Sequence, residues 1–160
     1  MLNSFRLCYE RRYLRLLGLT GLLLGYAGSG HACPWVETPA FAPSAGCLAI
    51  SGRSILVVEN RQGRVGPPGG SAEKGETAPC TAHRETLEET GLDLLPRELL
   101  RALDTGFYLY HCELQPHSGE IGPRDSDEID SAYWLPVDDF DRVQWRFPGQ
   151  GDVLRNLVPN

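Results

Sequence analysis

The sequence has no excess of basic residues and no long apolar stretch, and each lack excludes a class of protein. Lys and Arg number 15 against 21 Asp and Glu in 160 residues, a formal net charge of −6. A protein that holds nucleic acid by neutralising phosphates needs the opposite balance, so nucleic acid is not expected as a partner. The apolar run at 16–28 falls short of the roughly 20 residues that a membrane span requires.

Internal repeats, low-complexity tracts and CxxC pairs are lacking as well. Without a CxxC pair, a structural zinc site is not indicated. The length suits one ordinary domain. The hydrophobic fraction of 41% and the charged fraction of 22% are those of a folded globular protein. A single globular domain with many loops is therefore expected, because Gly (18) and Pro (12) are frequent.

The first 32 residues differ in character from the rest of the chain. They carry four Arg and one Glu, then the apolar run, then small residues at Gly30 and Ala32 before Cys33. This layout is typical of a secretory signal peptide. We predict a signal at 1–32 and a domain at 33–160, exported to the periplasm or secreted, without stable membrane contact after cleavage. An uncleaved membrane anchor and a lipoprotein acylated at Cys33 are the alternatives.

Removal of the signal leaves four cysteines, Cys33, Cys47, Cys80 and Cys112. In an oxidising compartment an even number can form two disulfides, and four cysteines allow three pairings. Cys80 also has a second interpretation as a reactive thiol, because it falls in the first turn of a predicted helix.

The pattern of apolar, Gly and Pro residues predicts strands, then a helix, then strands, then short helices. Strands are expected at 47–50, 54–59, within 99–114 after a break at Pro96, and at 129–135, with a polar loop at 115–127 and short helical segments at 137–140 and 152–157. The main helix is predicted at 77–90, with Thr77 as its N-cap and Gly91 as its stop. This order indicates an α/β architecture, either α+β or a mixed α/β/α sandwich.

Three glutamates of that helix share one face although local rules disfavour them there. Glu85, Glu88 and Glu89 are spaced i, i+3, i+4, so their charges repel. They also precede the negative end of the helix dipole, where each costs roughly a few tenths of a kcal/mol. A divalent cation such as Mg²⁺ would make this arrangement favourable, because it prefers carboxylate oxygens as ligands. A solvated acidic face is the alternative for such a cluster taken alone.

The spacing around the cluster carries a family resemblance. Five residues separate Gly70 from Glu76, and seven more lead to the run RETLEETGL at 84–92. This pattern resembles the Nudix box, G-x5-E-x7-R-E-U-x-E-E-x-G-U, where U is a bulky apolar residue. Thr86 is the one departure, since the family prefers an aliphatic residue there. The flanks at 67–70 and 128–140 also resemble the family, so the resemblance spans 46–157. It implies a Nudix-type α/β/α sandwich with a mixed sheet in a single domain.

The resemblance also implies an activity, the hydrolysis of a phosphoanhydride bond in a nucleoside diphosphate linked to another moiety. Mg²⁺ is the implied cofactor, with Mn²⁺ as a substitute, and a small-molecule diphosphate is the implied partner. By motif position, the metal ligands are Glu85, Glu88, Glu89 and the carbonyl of Gly70, while Glu76 and Arg84 hold the ligand carboxylates in place. The general base is either a box glutamate or an acid of the later loop, of which Glu128 is favoured, so the catalytic candidates are Glu85, Glu88, Glu89 and Glu128.

Substrate contacts outside the box are less specific. Arg61 and Arg64 flank the Gly-rich turn and are candidates for phosphate binding, with surface solubility as the alternative. Tyr108 is a candidate for stacking on a base, with core packing as the alternative. Two other functions stay open, a hydrolase of a lipid-linked or other non-nucleotide diphosphate and a non-catalytic nucleotide-binding module. Substrate identity and oligomeric state are left open.

Overall fold

The computed structural model describes residues 40–123 and 128–159. The predicted signal at 1–32 and Cys33 lie outside the described residues. The elements, in chain order, are β1 (Ser44–Leu48), β2 (Ile50–Ser51), β3 (Ser54–Asn60), β4 (Arg64–Gly66), β5 (Gly69–Ser71), α1 (Ala78–Thr90), β6 (Leu94–Ala102), β7 (Phe107–Leu114), β8 (Ile129–Pro136), a 3₁₀ helix (Val137–Arg142), β9 (Gln144–Trp145) and α2 (Gln150–Arg155). Among the residues described, no helix has the length and apolar character needed to cross a membrane.

The strands form two mixed sheets. The first has the order β5-β1-β7-β6. In it β1 and β7 run parallel, β5 pairs antiparallel with β1, and β6 pairs antiparallel with β7. The second has the order β2-β3-β4-β9, with β8 pairing antiparallel to β3 and with β4 and β9 parallel. The mixed sheet that the sequence predicts is therefore confirmed.

Helices cover opposite faces of the sheets, and successive side chains of the buried strands pack alternately into two apolar clusters. On β3, Leu56 packs into the cluster that contains Ala78 and Ala82 of α1. Its neighbours Ile55 and Val57 point the other way, into the cluster that contains residues of the 3₁₀ helix and α2. Side chains of a strand alternate between its faces, so a strand buried on both sides has to be apolar throughout. This layering confirms the predicted sandwich.

Helix α1 begins and ends close to the predicted bounds. It follows Thr77 in extended conformation, and it ends at Gly91, whose φ of 74° is in the left-handed region that glycine adopts without strain. Thr77 occupies the N-cap position, but its hydroxyl donates to the sulfur of Cys80 at 3.1 Å and makes no capping hydrogen bond to the backbone.

The predicted break at Pro96 is wrong, because β6 already begins at Leu94 and includes this proline. Pro96 faces Cys112 of β7, and the register shifts immediately after it. Strand β6 is at the end of its sheet, where a proline can point its missing N–H away from the ladder. The two- and three-residue strands β9 and β4 were not predicted, because segments so short have no measurable alternation.

One disulfide joins the neighbouring strands of the first sheet. Cys47 on β1 is bonded to Cys112 on β7, at a sequence separation of 65. Cys80 is also disulfide-bonded, which rules out the interpretation of a free reactive thiol. Of the three pairings that the sequence allowed, only one contains Cys47–Cys112.

Candidate active site

Helix α1 and strand β5 face each other across a cleft of about 800 Å³. The helix contributes the acidic face predicted from its spacing, and the strand contributes backbone with almost no side chains. The lining residues are Asn60, Arg61, Gln62, Gly69, Gly70, Ser71, Glu85, Glu88, Glu89, Glu128, Ile129 and Arg146. The sheet thus brings the Gly-rich turn and the acidic helix face into one site.

Gly70 allows the close approach of the strand to the helix. It pairs with Ala45 of β1 at the edge of the first sheet. A Cβ atom at Gly70 would lie 2.5 Å from the carboxylate carbon of Glu85, well inside van der Waals contact. A side chain at this position would displace the Glu85 carboxylate. Glycine has no side chain and leaves that space to Glu85.

Arg84 links four of the polar groups around the cleft. Its Nε and Nη2 donate to the two oxygens of Glu76, each at 3.0 Å, and Nη2 also donates to the carbonyl of Ser71 at 2.9 Å. Its Nη1 donates to Glu85 at 2.9 Å and to Glu88 at 3.1 Å. One guanidinium therefore offsets the repulsion between two neighbouring carboxylates and ties them to Glu76.

The network shifts the protonation of its members. Burial lowers the pKa of Arg84, but the hydrogen bond to Glu76 and the charges of Glu85 and Glu76 outweigh it and raise that pKa above its ordinary value. Burial acts on Glu76 in the upward direction, yet hydrogen bonds from Arg84, the Glu73 backbone and Thr81 lower its pKa. The Glu76–Arg84 pair is therefore charged at neutral pH.

Glu89 is the most buried carboxylate of the cleft, with 8% of the residue exposed. One oxygen accepts the backbone N–H of Gly69 at 2.7 Å, and the other lies 4.0 Å from Nη2 of Arg146. Burial raises the pKa of Glu89 to about 7, against the opposing effects of Gly69 and Arg146. Burial also raises the pKa of Glu85, against the charge of Arg84.

The donor set fits a hard divalent cation. Carboxylates on one helix face and a carbonyl at a position without a side chain are the oxygen ligands that Mg²⁺ prefers. Within the described residues, no three His, Cys, Asp or Glu side chains already converge as a metal site. Glu85 and Glu88 accept hydrogen bonds from Arg84, and Glu89 accepts one from the N–H of Gly69.

The remaining predicted residues divide into two groups. Glu128, at the start of β8, and Arg61, after β3, line the cleft. Arg64 is exposed on β4, and Tyr108 packs half-buried against the apolar cluster beneath α1. Neither Arg64 nor Tyr108 is among the described residues that line the cleft.

The lining residues that sequence reasoning missed include Asn60, Gln62 and Arg146. Asn60 and Gln62 belong to the turn after β3, where polar residues are ordinary. Arg146 follows β9, far from the box in sequence, and it has no local motif that could have identified it. Its place in the cleft results from the pairing of β9 with β4.

Comparison with known proteins gives consistent results. The 8-oxo-(d)GTP phosphatase of Mycolicibacterium smegmatis is 36% identical over 97 residues, which cover 57% of this chain and 29% of that protein. The match thus spans less than a third of the length of this curated relative. An ADP-ribose pyrophosphatase from Streptococcus suis 89-1591 superimposes with a TM-score of 0.62 at 19% identity, covering 77% of this chain and 94% of that one. A UDP-X diphosphatase superimposes with a TM-score of 0.61 at 18% identity, covering 76% and 64%.

The two structural likenesses show a shared fold. The family model of the NUDIX domain matches residues 40–157, which is most of the chain and includes the whole cleft. The box pattern, the sandwich and this match agree, and the chain therefore belongs to the NUDIX domain family.

Proposed function

We propose that this protein is a divalent-cation-dependent pyrophosphohydrolase that cleaves a phosphoanhydride bond in a nucleoside diphosphate linked to another moiety. The observation that carries the proposal is the opposition of the acidic face of α1 to the side-chain-free backbone of Gly69 and Gly70. The relatives and neighbours support it, because their names describe an 8-oxo-(d)GTP phosphatase, an ADP-ribose pyrophosphatase and a UDP-X diphosphatase.

The proposed metal ligands are Glu85, Glu88, Glu89 and the carbonyl oxygen of Gly70. Mg²⁺ is the proposed cofactor and Mn²⁺ its substitute. When bound, the cation supplies charge neutralisation for the diphosphate and polarises its oxygens. Glu76 and Arg84 hold the carboxylates through the network of hydrogen bonds described above, which limits the directions that Glu85 and Glu88 can take.

Glu128 is the proposed general base. It is exposed and lines the cleft, and its negative charge raises the pKa of Glu89. Its carboxylate takes the proton of the attacking water, whose oxygen forms the new bond to one phosphorus. The bridging P–O bond breaks, and the leaving phosphate keeps the bridging oxygen. Arg61, which also lines the cleft, is the proposed contact for a substrate phosphate.

Export is part of the proposal. The buried disulfide between Cys47 and Cys112 supports it, because disulfides form and persist in oxidising compartments. N-terminal sequencing of the native protein tests it, with a mature N-terminus near Cys33 as the expected result. Intact Met1 on protein recovered from the cytoplasm would contradict export.

The decisive experiment is a hydrolysis assay on the full chain with Mg²⁺, with Mn²⁺ and with EDTA. The substrates are ADP-ribose, UDP-glucose, 8-oxo-dGTP and a prenyl diphosphate. We expect cation-dependent release of product from at least one nucleotide and none in EDTA. Glu89→Gln should lower turnover at least 100-fold with an unchanged circular dichroism spectrum, because a neutral amide is a poor cation ligand. Glu98→Gln, an exposed carboxylate on β6, is the matched control.

Two outcomes would contradict the proposal in different ways. Binding of a nucleotide without any product in either metal would identify a non-catalytic module. Cleavage of the prenyl diphosphate alone would identify a non-nucleotide diphosphate as the substrate class.

A further inference from the structure

Arg146 enters the cleft from an element that has no connection with the box in sequence. Strand β9 pairs with β4 so that Val65 faces Trp145, and the N–H of Arg146 donates to the carbonyl of Val65 at 2.8 Å. Trp145 packs against the apolar cluster that contains residues of the 3₁₀ helix and α2. Its ring lies edge-on to that of Phe140, with the ring centres 5.0 Å apart. Because successive side chains point to opposite faces, Arg146 points to the other face, where the cleft lies.

The aliphatic stem of Arg146 packs against Gly66. A Cβ atom at Gly66 would be 3.0 Å from Cδ of Arg146, a tighter distance than such contacts normally have. Gly66 therefore leaves the space that the aliphatic stem occupies. The side chain of Arg146 is 22% exposed, so its stem is covered while its guanidinium reaches the cleft.

The guanidinium is incompletely satisfied. Its contact to Glu89 joins Nη2 and Oε1 at 4.0 Å, which is longer than a hydrogen bond. Its Nε is buried and has no hydrogen-bond partner among the described residues. A buried N–H of a charged group without an acceptor is costly, so an anionic ligand that supplied acceptor oxygens would stabilise this site.

The charges of the cleft indicate which kind of ligand the guanidinium binds. Four glutamates line the cleft, Glu85, Glu88, Glu89 and Glu128, and they repel a diphosphate. Glu89 already has a short partner in the N–H of Gly69. Arg84 binds the carboxylates of Glu85 and Glu88 but is not among the described residues that line the cleft. Among the described lining residues, positive charge comes from Arg61 and Arg146 alone.

We infer that Arg146 is a substrate-binding residue that holds a phosphate of the diphosphate through its forked N–H groups, an inference that rests on the proposed function. A guanidinium binds two oxygens of one phosphate at once, which an ammonium group cannot do in the same geometry. The phosphate would accept hydrogen bonds from the guanidinium where it lines the cleft, and the cation would bind the same diphosphate from the side of the glutamates.

The test measures binding separately from turnover. Methylenediphosphonate, a diphosphate that cannot be hydrolysed at its bridge, is titrated calorimetrically into the full chain with Mg²⁺. We expect binding to the wild type, at least tenfold weaker binding to Arg146→Gln, and an intermediate value for Arg146→Lys. Arg142→Ala, an exposed arginine paired with Asp139, is the matched control and should bind as the wild type does. No binding to the wild type, or equal binding to Arg146→Gln, would overturn the inference.

A second measurement separates substrate binding from an effect on Glu89. Mn²⁺ affinity, followed by electron paramagnetic resonance without phosphonate, should be unchanged or higher in Arg146→Gln, because a nearby positive charge is lost. A fall in Mn²⁺ affinity by the same factor as the phosphonate affinity would overturn the inference, since Arg146 would then act only by positioning Glu89.

Steady-state kinetics distinguishes this inference from the proposed function. On a cleaved nucleotide, Arg146→Gln should raise KM at least tenfold and lower kcat by a smaller factor. A wild type that hydrolyses the nucleotide, with unchanged KM in Arg146→Gln, would overturn the inference alone. A wild type that binds phosphonate through Arg146 yet hydrolyses nothing would support the phosphate site and contradict the hydrolase.

Discussion

Two buried threonines of α1 show how much a single hydroxyl depends on its surroundings. Thr86 and Thr90 are both 0% exposed. The hydroxyl of Thr90 donates to the carbonyl of Thr86 at 2.6 Å and accepts the N–H of Leu92 at 3.2 Å. The hydroxyl of Thr86 has no hydrogen-bond partner within the described residues. This contrast gives a physical reason for the aliphatic residue that the box pattern prefers at this position.

Valine at these two sites should have opposite effects. Thr86→Val removes an unsatisfied polar atom at constant shape, so we expect the free energy of unfolding to rise by about 1 kcal/mol. Thr90→Val breaks two hydrogen bonds and leaves the Leu92 N–H unpaired, so we expect a loss of about 1–2 kcal/mol. Urea denaturation measures both. A loss of stability in Thr86→Val would show that its hydroxyl is satisfied in solution.

Glu89 makes the stability of the metal-free protein depend on pH. Its pKa is raised to about 7 from an ordinary 4.5, mainly by burial, so the folded state binds the proton more tightly than the unfolded state. Stability should therefore fall as pH rises from 4.5 through 7, by on the order of 3 kcal/mol for this group. Thermal unfolding in EDTA at pH 5 and pH 8 measures the effect.

The Glu89→Gln variant is the control for that pH dependence. Gln cannot ionise, and its amide oxygen can still accept the N–H of Gly69. We expect the variant to match the wild type near pH 4.5 and to be more stable than it at pH 8. An equal loss of stability in both proteins between these pH values would assign the dependence to other groups.

At the scale of elements, the site depends on how closely β5 approaches α1. Gly70→Ala should lower turnover at least tenfold, because the new Cβ would lie 2.5 Å from the Glu85 carboxylate and force it away. Gly122→Ala is the control, since a Cβ there has no atom within 4 Å. Assays in Mg²⁺ and melting curves would be compared for both. Full activity in Gly70→Ala would show that Glu85 can move without loss of function.

Polar contacts hold the described part of the loop after β7 to the end of α1. The sequence predicted a polar loop at 115–127. In its described part, the loop is attached to the end of α1 by Asp93, whose carboxylate lies 3.0 Å from His83 and 3.1 Å from His117. The N–H of Asp93 also donates to the hydroxyl of Ser118 at 2.9 Å. These contacts connect α1 to the segment that leads toward Glu128.

For the whole molecule, the disulfide between β1 and β7 links distant parts of the chain. In the chain-entropy description, closing a loop across 65 residues stabilises the folded state by about 4 kcal/mol. We expect Cys47→Ala/Cys112→Ala to lose an amount of this order in urea denaturation without reductant. A loss below about 2 kcal/mol, the low end of the values typical of disulfides, would contradict the expected stabilisation.

A reducing buffer provides the control for the disulfide. Wild type and double variant then both lack every disulfide, including the one at Cys80, so the difference between them should shrink to the contribution of two small buried side chains. An equal difference in both buffers would show that packing, and not the covalent bond, is responsible.

Whatever depends on neighbours along the chain was determined by the sequence alone. The bounds of α1 follow from Pro79 and Gly91, and its acidic face follows from the helical period, which places residues three and four apart on one side. The box spacing brings Gly70 near that face because only a short turn separates β5 from α1. These features are local, so a pattern of residues is enough to predict them.

The tertiary structure decided what depends on strand register. The pairing of β9 with β4 brings Arg146 into the cleft, the pairing of β1 with β7 joins Cys47 to Cys112, and Tyr108 on β7 packs against the apolar cluster beneath α1. Register results from the simultaneous packing of many distant side chains, and a shift by one residue would reverse every one of these directions. No local pattern contains that information, so the glutamates could be predicted from the sequence while Arg146, which lies beside Glu89, could not.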